Sequence, residues 1–389
     1  MCGDVLGAAV EGWNAQQIAG WHPAGLTAFQ PTERGFGRYT DDTQMAIALS
    51  RSLIARGGRC EDVAAARSYA VEYDPSRGYG ATAARVLQDI KQTGVDATSI
   101  QTIGAKYLPN GSFANGGAMR IAPLGLVYRH APAATLRSAV ASALRCTHVH
   151  PVAVDGAFVI ALAVGYLATR QPGDPTGASA GPATAVPSRE TLDAAGAALG
   201  AAGAASGTAG ATAGPAGPGA AAASGGVCGE QATPLKLLDY LLAHRGLLET
   251  EGMASKLLTV RTTIASAPSF KPASEPWSEY LSSSGWAAEQ ALGAAVAETF
   301  QIRADDAVAV ALAALCWHWL CPEDALVAAV HYGGDTDTIA AITGALAGAL
   351  HGLRWIPARW WAVLENGPAG RDEVVQLATQ LAELSNSGA

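Results

Sequence analysis

Two short acidic clusters, one near each end of the chain, stand where a helical hydrophobic pattern begins, and any fold of this sequence must accommodate their charge. The first is Tyr39-Thr40-Asp41-Asp42-Thr43, followed by Met45, Leu49, Leu53 and Ile54 at helical spacing. The second is Gly333-Gly334-Asp335-Thr336-Asp337-Thr338, which runs into Ile339, Ile342, Leu346 and Leu350. Asp and Thr at a helix start accept bonds from the unpaired N–H groups of the first turn and suit its positive dipole end. One carboxylate satisfies such a cap; the second is surplus. Either cluster alone reads as a cap, but two of matching chemistry point to bound cations. All-oxygen ligation by Asp and Thr, without a neighbouring Cys or a His-rich spacing, favours a hard ion over zinc: Mg²⁺, with Mn²⁺ or Ca²⁺ as alternatives.

The remaining pattern is helical. No run shows the alternation of a strand, so the fold class is all-α. An apolar fraction of 49% over 389 residues fills a substantial core, and abundant Ala and Gly suit closely packed helices. With 33 acidic against 25 basic residues and no Lys/Arg run, the net charge of −8 argues against nucleic-acid or anionic-membrane partners. No apolar span is long enough to cross a bilayer. Six scattered cysteines without C-x-x-C or zinc spacing read as an intracellular, reducing compartment. The opening Met1-Cys2-Gly3-Asp4 reads as the inside of an element, a shortened N-terminus with no signal peptide.

In order, residues 3–18 read as a Gly-rich helix ending near Glu11-Gly12, and 19–38 as a surface loop. On position alone Glu11 is an exposed helix-end residue. Helices are expected at about 43–56, 61–72, 81–93, 134–146, 152–169, 234–244, 288–302, 305–320, 323–331, 338–352, 357–364 and 371–385. Residues 74–80, Asp-Pro-Ser-Arg-Gly-Tyr-Gly, form a turn. The loop Asn110-Gly111-Ser112-Phe113-Ala114-Asn115-Gly116 presents a bare backbone whose N–H groups can face an anion, although no Walker Gly-Lys-Ser/Thr closes it. In Thr147-His148-Val149-His150-Pro151, His148 reads as a hydrogen-bonding or stacking contact and His150 as structural. Asp155 is expected to be buried and bonded locally. From about 172 to 232 the chain is Ala, Gly, Pro, Ser and Thr with almost no charge, a composition that cannot offset its ordering entropy. It reads as a disordered insertion in one domain spanning 1–389, with a short helix near 192–199.

The motifs Gly3-Asp4-Val5-Leu6-Gly7 with Glu11, Tyr39-Thr40-Asp41-Asp42-Thr43, Asn115-Gly116-Gly117-Ala118-Met119-Arg120, Thr147-His148 and Gly334-Asp335-Thr336-Asp337-Thr338-Ile339-Ala340 follow one another in the order of a known family. On them the chain resembles the ADP-ribosylglycohydrolases. Residues 74–80 and 111–116 are most similar to the serine-directed branch, that of ADP-ribosylhydrolase 3, rather than the arginine-directed one. The resemblance implies a compact, orthogonal multi-helix fold with two Mg²⁺ ions in a central cleft and ADP-ribose as substrate. It implies that Thr40, Asp41 and Asp42 hold one ion, Asp335 and Thr338 the other, and that Asp337 bridges. Glu11 matches the family's mobile catalytic glutamate, which also reaches the metal site. Asp41, Asn110, Gly111, Ser112, Phe113, Ala114, Asn115, Gly116 and His148 then meet the substrate, with an adenine contact near Val296. The turn that precedes Gly3-Asp4 in the family is missing here.

The implied reaction is hydrolysis of the bond between ADP-ribose and protein serine, with poly-ADP-ribose or O-acetyl-ADP-ribose as further substrates and a monomer as the working unit. Cleavage at the anomeric carbon passes through an oxocarbenium-like state and needs a grip on the ribose, an activated water and help for the leaving group. Arginine-directed hydrolysis, phosphohydrolysis of ADP-ribose and a non-catalytic ADP-ribose-binding or structural role are the competing readings. Retention of Glu11 and all six metal-site residues argues against the last. Replacing Asp337 by Ala is expected to remove both ions and nearly all activity; the metal content of the purified variant checks this.

Overall fold

The computed structural model describes residues 1–175, 230–267, 271–272, 274–298 and 300–386. The chain begins with α1 (Cys2–Gly7), α2 (Ala15–Trp21), α3 (Asp41–Ala55), α4 (Asp62–Glu72) and α5 (Ala81–Thr93). It continues with α6 (Ile100–Ile103), α7 (Ala122–Val127), α8 (Ala133–Leu144) and α9 (Pro151–Leu167). After residue 230 come α10 (Pro234–Ala243), α11 (Glu251–Ser266), α12 (Trp277–Tyr280), α13 (Ser284–Val296) and α14 (Ala304–Trp317). Then follow α15 (Pro322–His331), α16 (Thr336–His351), α17 (Ala358–Trp361) and α18 (Arg371–Asn386). The class is all-α, as expected. One two-residue parallel pair, β1 (Gln171–Pro172) with β2 (Gln231–Ala232), joins the ends that flank residues 176–229. The expected insertion falls mostly on those residues, and the expected helix near 192–199 lies outside the described ones.

Three helices form the centre. In α9 every residue from Val152 to Leu167 is buried, and so is the whole of α14. Both pack on α16, whose inward face carries Ile339, Ile342, Leu346 and Leu350. Helices that are apolar all round can only be stable inside a shell of others. Among the described residues no helix is long and apolar enough to cross a membrane. The short α1 lies along α16 at backbone contact, because Gly3 and Gly7 present no Cβ. A Cβ at Gly3 would overlap the Ala340 carbonyl, and one at Gly7 the Thr336 carbonyl. Thr336 Oγ1 donates to Gly7 O at 2.9 Å and ties the two helices at the end that carries the acidic cluster.

Several boundaries differ from the sequence expectation. The first helix stops at Gly7, and a turn separates it from α2, which occupies part of the expected loop. Asn14 and Gln17 start α2 as a reciprocal capping box, with both bonds at 2.9 Å. The helix expected at 288–302 runs Ser284–Val296, after which the chain becomes extended. Helix α11 was not expected. Its Met253, Leu257, Val260 and Ile264 are buried at helical spacing, but the Thr and Ser between them dilute the pattern. Those hydroxyls bond back into the helix, Thr259 to Ser255 O at 3.1 Å and Thr262 to Leu258 O at 2.8 Å. Asp155 is buried as expected, yet its partners are distant in sequence. It accepts from Arg137, from the Glu249 and Thr250 N–H groups and from the Thr250 hydroxyl, and so caps α11 from α9.

Gly7→Ala forces backbone from backbone and is expected to cost about 1–3 kcal/mol. Gly348→Ala, on α16 itself but facing open space, is expected to be neutral or stabilising by up to about 1 kcal/mol. Thermal unfolding of the two variants checks the contrast.

Candidate active site

The first acidic cluster is built from α1. Asp4, fully buried, accepts from Thr40 N at 2.9 Å, from Thr43 N at 3.1 Å and from Thr43 Oγ1 at 2.6 Å. Thr40 is the N-cap of α3, and its hydroxyl donates to Asp42 Oδ2 at 3.1 Å. The cap is therefore supplied by Thr40 and Asp4, which leaves Asp41 and Asp42 on the first turn with no capping duty. Asp42 Oδ1 is buried and has no hydrogen-bond partner. The preceding residue is clamped as well. Arg77 Nη1 donates to Tyr39 O at 2.8 Å and to Glu365 Oε1 at 2.6 Å, and its guanidinium lies 3.9 Å from the Tyr39 ring centroid. Arg77 sits in the expected turn, where Asp74 Oδ1 accepts from Ser76 N at 2.9 Å and Gly78 takes a φ of +96°.

The second cluster is held by a backbone interlock. Gly333 and Gly334 have φ of +76° and +84°, conformations that disfavour any residue with a Cβ. Gly12 N donates to Gly334 O at 2.8 Å, and Gly334 N to Trp13 O at 2.7 Å. The turn that carries Glu11 is thus fastened to the turn that carries Asp335. Glu11, Asp335 and Asp337 each offer a carboxylate oxygen, all within 4.8 Å of one another. Asp335 Oδ2 accepts from Asn115 Nδ2 at 2.5 Å, and the Asp335 N–H donates to Gln301 Oε1 at 3.2 Å. Asp337 Oδ1 accepts from Thr338 N at 2.9 Å.

These carboxyls perturb one another. Burial, then Asp4, pushes Asp41 up to about 7. Burial, then Asp4 and Asp41, raises Asp42 well above the ordinary range. Asp337 is raised in the same way by burial, then by Asp42 and Asp335. Burial also raises Asp335, against hydrogen bonds from Asn115, Asp337 and Thr338. Glu11 is exposed as a residue, but its carboxyl reaches the cluster and is raised by burial, then by Asp335, with Arg34 opposing. Among the described residues no lysine or arginine pairs with Asp41, Asp42, Asp335 or Asp337. Oxygen donors, mutual repulsion and an unpartnered buried oxygen on Asp42 fit a hard divalent cation.

The 110–116 loop borders this cluster. Three of its N–H groups are already committed: Gly111 to Leu108 O at 2.7 Å, Ala114 to Ser112 Oγ at 3.2 Å and Asn115 to Ile302 O at 2.9 Å. Any anion held here is met by the others. Asn110 and Phe113 are exposed, and Arg303 lies 5.6 Å from the Phe113 ring centroid. His148 is buried beneath the loop, accepting or donating at 2.9 Å with Thr147 Oγ1, and its ring lies against Gly116. Burial, then Arg120, pushes it down to about 3, so it stays neutral. His150 is structural, its Nδ1 accepting from Val152 N at the start of α9. Val296 is buried in the core, whereas Phe300 and Ile302 are exposed beside the loop. Asp4 and Gln301 were not singled out as site residues. Asp4 lies within a recognised motif, but nothing in the sequence around Gln301 marks it.

A sequence model described as ADP-ribosylglycohydrolase matches residues 1–389. The chain belongs to the ADP-ribosylglycohydrolase family. It is similar to ADP-ribosylhydrolase ARH3 of Homo sapiens, 36% identical over 128 residues, which are 32% of this chain and 34% of the human protein. It is also similar to ARH3 of Bos taurus, 26% identical over 362 residues, 88% of this chain and 77% of the bovine one. The matched region thus spans about a third of the human relative's length. A solved structure described as an ADP-ribosylglycohydrolase-related protein complex shares the fold, with a TM-score of 0.56, 23% identity and coverage of 99% of this chain and 94% of that one.

Carboxyls whose folded pKa lies above the unfolded value stabilise the fold fully below the ordinary carboxylate range and lose that contribution as pH rises through the folded values. In chelator, the unfolding temperature is therefore expected to fall between about pH 5 and pH 8, around the raised Asp41 value. Mg²⁺ is expected to restore most at the alkaline end. Melting curves with EDTA or Mg²⁺ across that range check this, and a flat EDTA profile contradicts it.

Proposed function

We propose that the protein hydrolyses the bond between the anomeric carbon of ADP-ribose and the oxygen of a modified protein serine, in a Mg²⁺-dependent reaction. The observation that carries this reading is the meeting of Glu11 with Asp335 and Asp337 in one cluster of carboxylate oxygens. The serine linkage is inferred from residues 74–80 and 111–116 and from the similarity to the ARH3 proteins. Two Mg²⁺ ions would be held by Thr40, Asp41 and Asp42 on one side and Asp335 and Thr338 on the other, with Asp337 shared. Bound there, they supply positive charge that orients the ribose hydroxyls and eases deprotonation of a water.

The chain's own residues do the rest. Glu11 takes a proton from the attacking water and returns it to the departing serine oxygen, so that water adds at the anomeric carbon as the C–O bond breaks. Its raised pKa suits a group that must both accept and release a proton. The remaining N–H groups of the 110–116 loop and the Ser112 side chain receive the diphosphate. Phe113 offers an exposed apolar face to the adenosine end. His148, neutral and buried, supports the loop from below.

Matched serine- and arginine-modified peptides, with release of ADP-ribose read by mass, test the reading. Intact ADP-ribose is expected from the serine peptide alone, lost in EDTA and reduced at least about a hundredfold in Glu11→Gln, the usual scale of proton-transfer catalysis. Release from arginine assigns the chain to the other linkage. AMP as product indicates phosphohydrolysis, and ADP-ribose binding without release indicates a binding protein.

A further inference from the structure

We propose that Gln301 is a positioning residue that couples the ADP-ribose loop to the acidic cluster, so that ADP-ribose and a divalent cation strengthen each other's binding through Asp335. This rests on the function proposed above.

Just before α14 the chain lies beside the loop. Ala114 and Arg303 form an antiparallel bridge, Asn115 N donates to Ile302 O at 2.9 Å and Ala304 N to Phe113 O at 3.1 Å. Ile302 N donates to Phe300 O at 2.8 Å, which closes a γ-turn centred on Gln301. Phe300 and Ile302 accordingly face outward, 42% and 44% exposed, while Gln301 between them is only 5% exposed. The inward Gln301 accepts the Asp335 N–H on Oε1 at 3.2 Å. Its carbonyl accepts from Asn115 Nδ2 at 2.9 Å, and the same amide nitrogen donates to Asp335 Oδ2 at 2.5 Å.

Asn115, Asp335 and Gln301 therefore close a ring of three hydrogen bonds that joins loop, turn and carboxylate. Both polar ends of Asp335, its N–H and its carboxylate, are held from the loop side. A ligand that fixes Phe113–Asn115 also fixes Asp335, and a cation that fixes Asp335 also fixes the loop. Such coupling is reciprocal by thermodynamic necessity. The apolar isostere Gln301→Met fills the same space and removes the acceptor, which leaves the Asp335 N–H buried and unpaired.

Calorimetric titration of ADP-ribose into the full chain, in EDTA and in Mg²⁺, measures the coupling directly. In the wild type Mg²⁺ is expected to tighten ADP-ribose binding. In Gln301→Met that gain is expected to shrink by about tenfold while affinity in EDTA stays close to wild type. Asn115→Ala should lower the gain similarly, and the double variant should lose little more than either single one, because the two act in one ring. If Gln301→Met fails to fold, Asn115→Ala carries the test alone. An undiminished gain in the folded variants overturns the proposal, because a purely structural role lowers the unfolding temperature without changing the gain. A wild type that binds ADP-ribose equally with and without Mg²⁺ also overturns it, and leaves the glycosidase reading to the peptide assay. A wild type that does not bind ADP-ribose defeats both.

Discussion

Mutual repulsion among buried carboxylates is the constraint on which the rest of this structure depends. Asp4, Asp42, Asp335 and Asp337 are nearly inaccessible to water, and Asp41 and Glu11 extend the same field. Buried charge is usually balanced by lysine or arginine. Here the work is divided. Asp4 is satisfied by neutral donors from Thr40 and Thr43, and the Asp335 carboxylate by the Asn115 amide. Asp41 and Asp42 are left with little more than the Thr40 hydroxyl, an imbalance that a fold tolerates when cation binding and folding are linked.

Such a cluster needs a rigid base, and the base is made of close backbone approach. Gly3 and Gly7 bring α1 onto α16, which places Asp4 beside the start of α3 and places the Glu11 turn over Gly333-Gly334. Arg77 and Glu365 hold Tyr39 from the other side, so the backbone leading into Thr40 is fixed at two successive residues. The Arg77–Glu365 pair sets this geometry without bonding to the clustered carboxylates.

Much of this was legible in the sequence because local and long-range signals agreed. The apolar spacing after Thr43 and Thr338 marked helices whose observed bounds differ from expectation by a residue or two. The paired glycines before Asp335 did adopt the left-handed conformation their type allows. What the pattern could not reveal was long-range pairing. Asp4 looked like one polar residue in a Gly-rich stretch, and its role appears only when α3 is brought beside it. Gln301 was placed inside a helix because 288–302 is mostly helix-compatible, yet pairing with residues 113–115 holds it in a γ-turn instead. Asp155 was read as locally bonded for the same reason, since Arg137 lies on another helix and Glu249 and Thr250 lie on the far side of residues 176–229. Glu11 was ambiguous from position alone. It is exposed as a helix-end residue would be, and only the turn-to-turn interlock brings its carboxyl to the cluster.

The pairing of Gln171–Pro172 with Gln231–Ala232 has a geometric consequence. Gly173 N donates to Ala232 O at 2.7 Å and Gln171 N to Glu230 O at 3.3 Å, so the chain leaves α9 and returns to α10 through a single pinched neck. The distance between the helices on either side is set by the neck itself, so it need not depend on how many residues the chain holds between them.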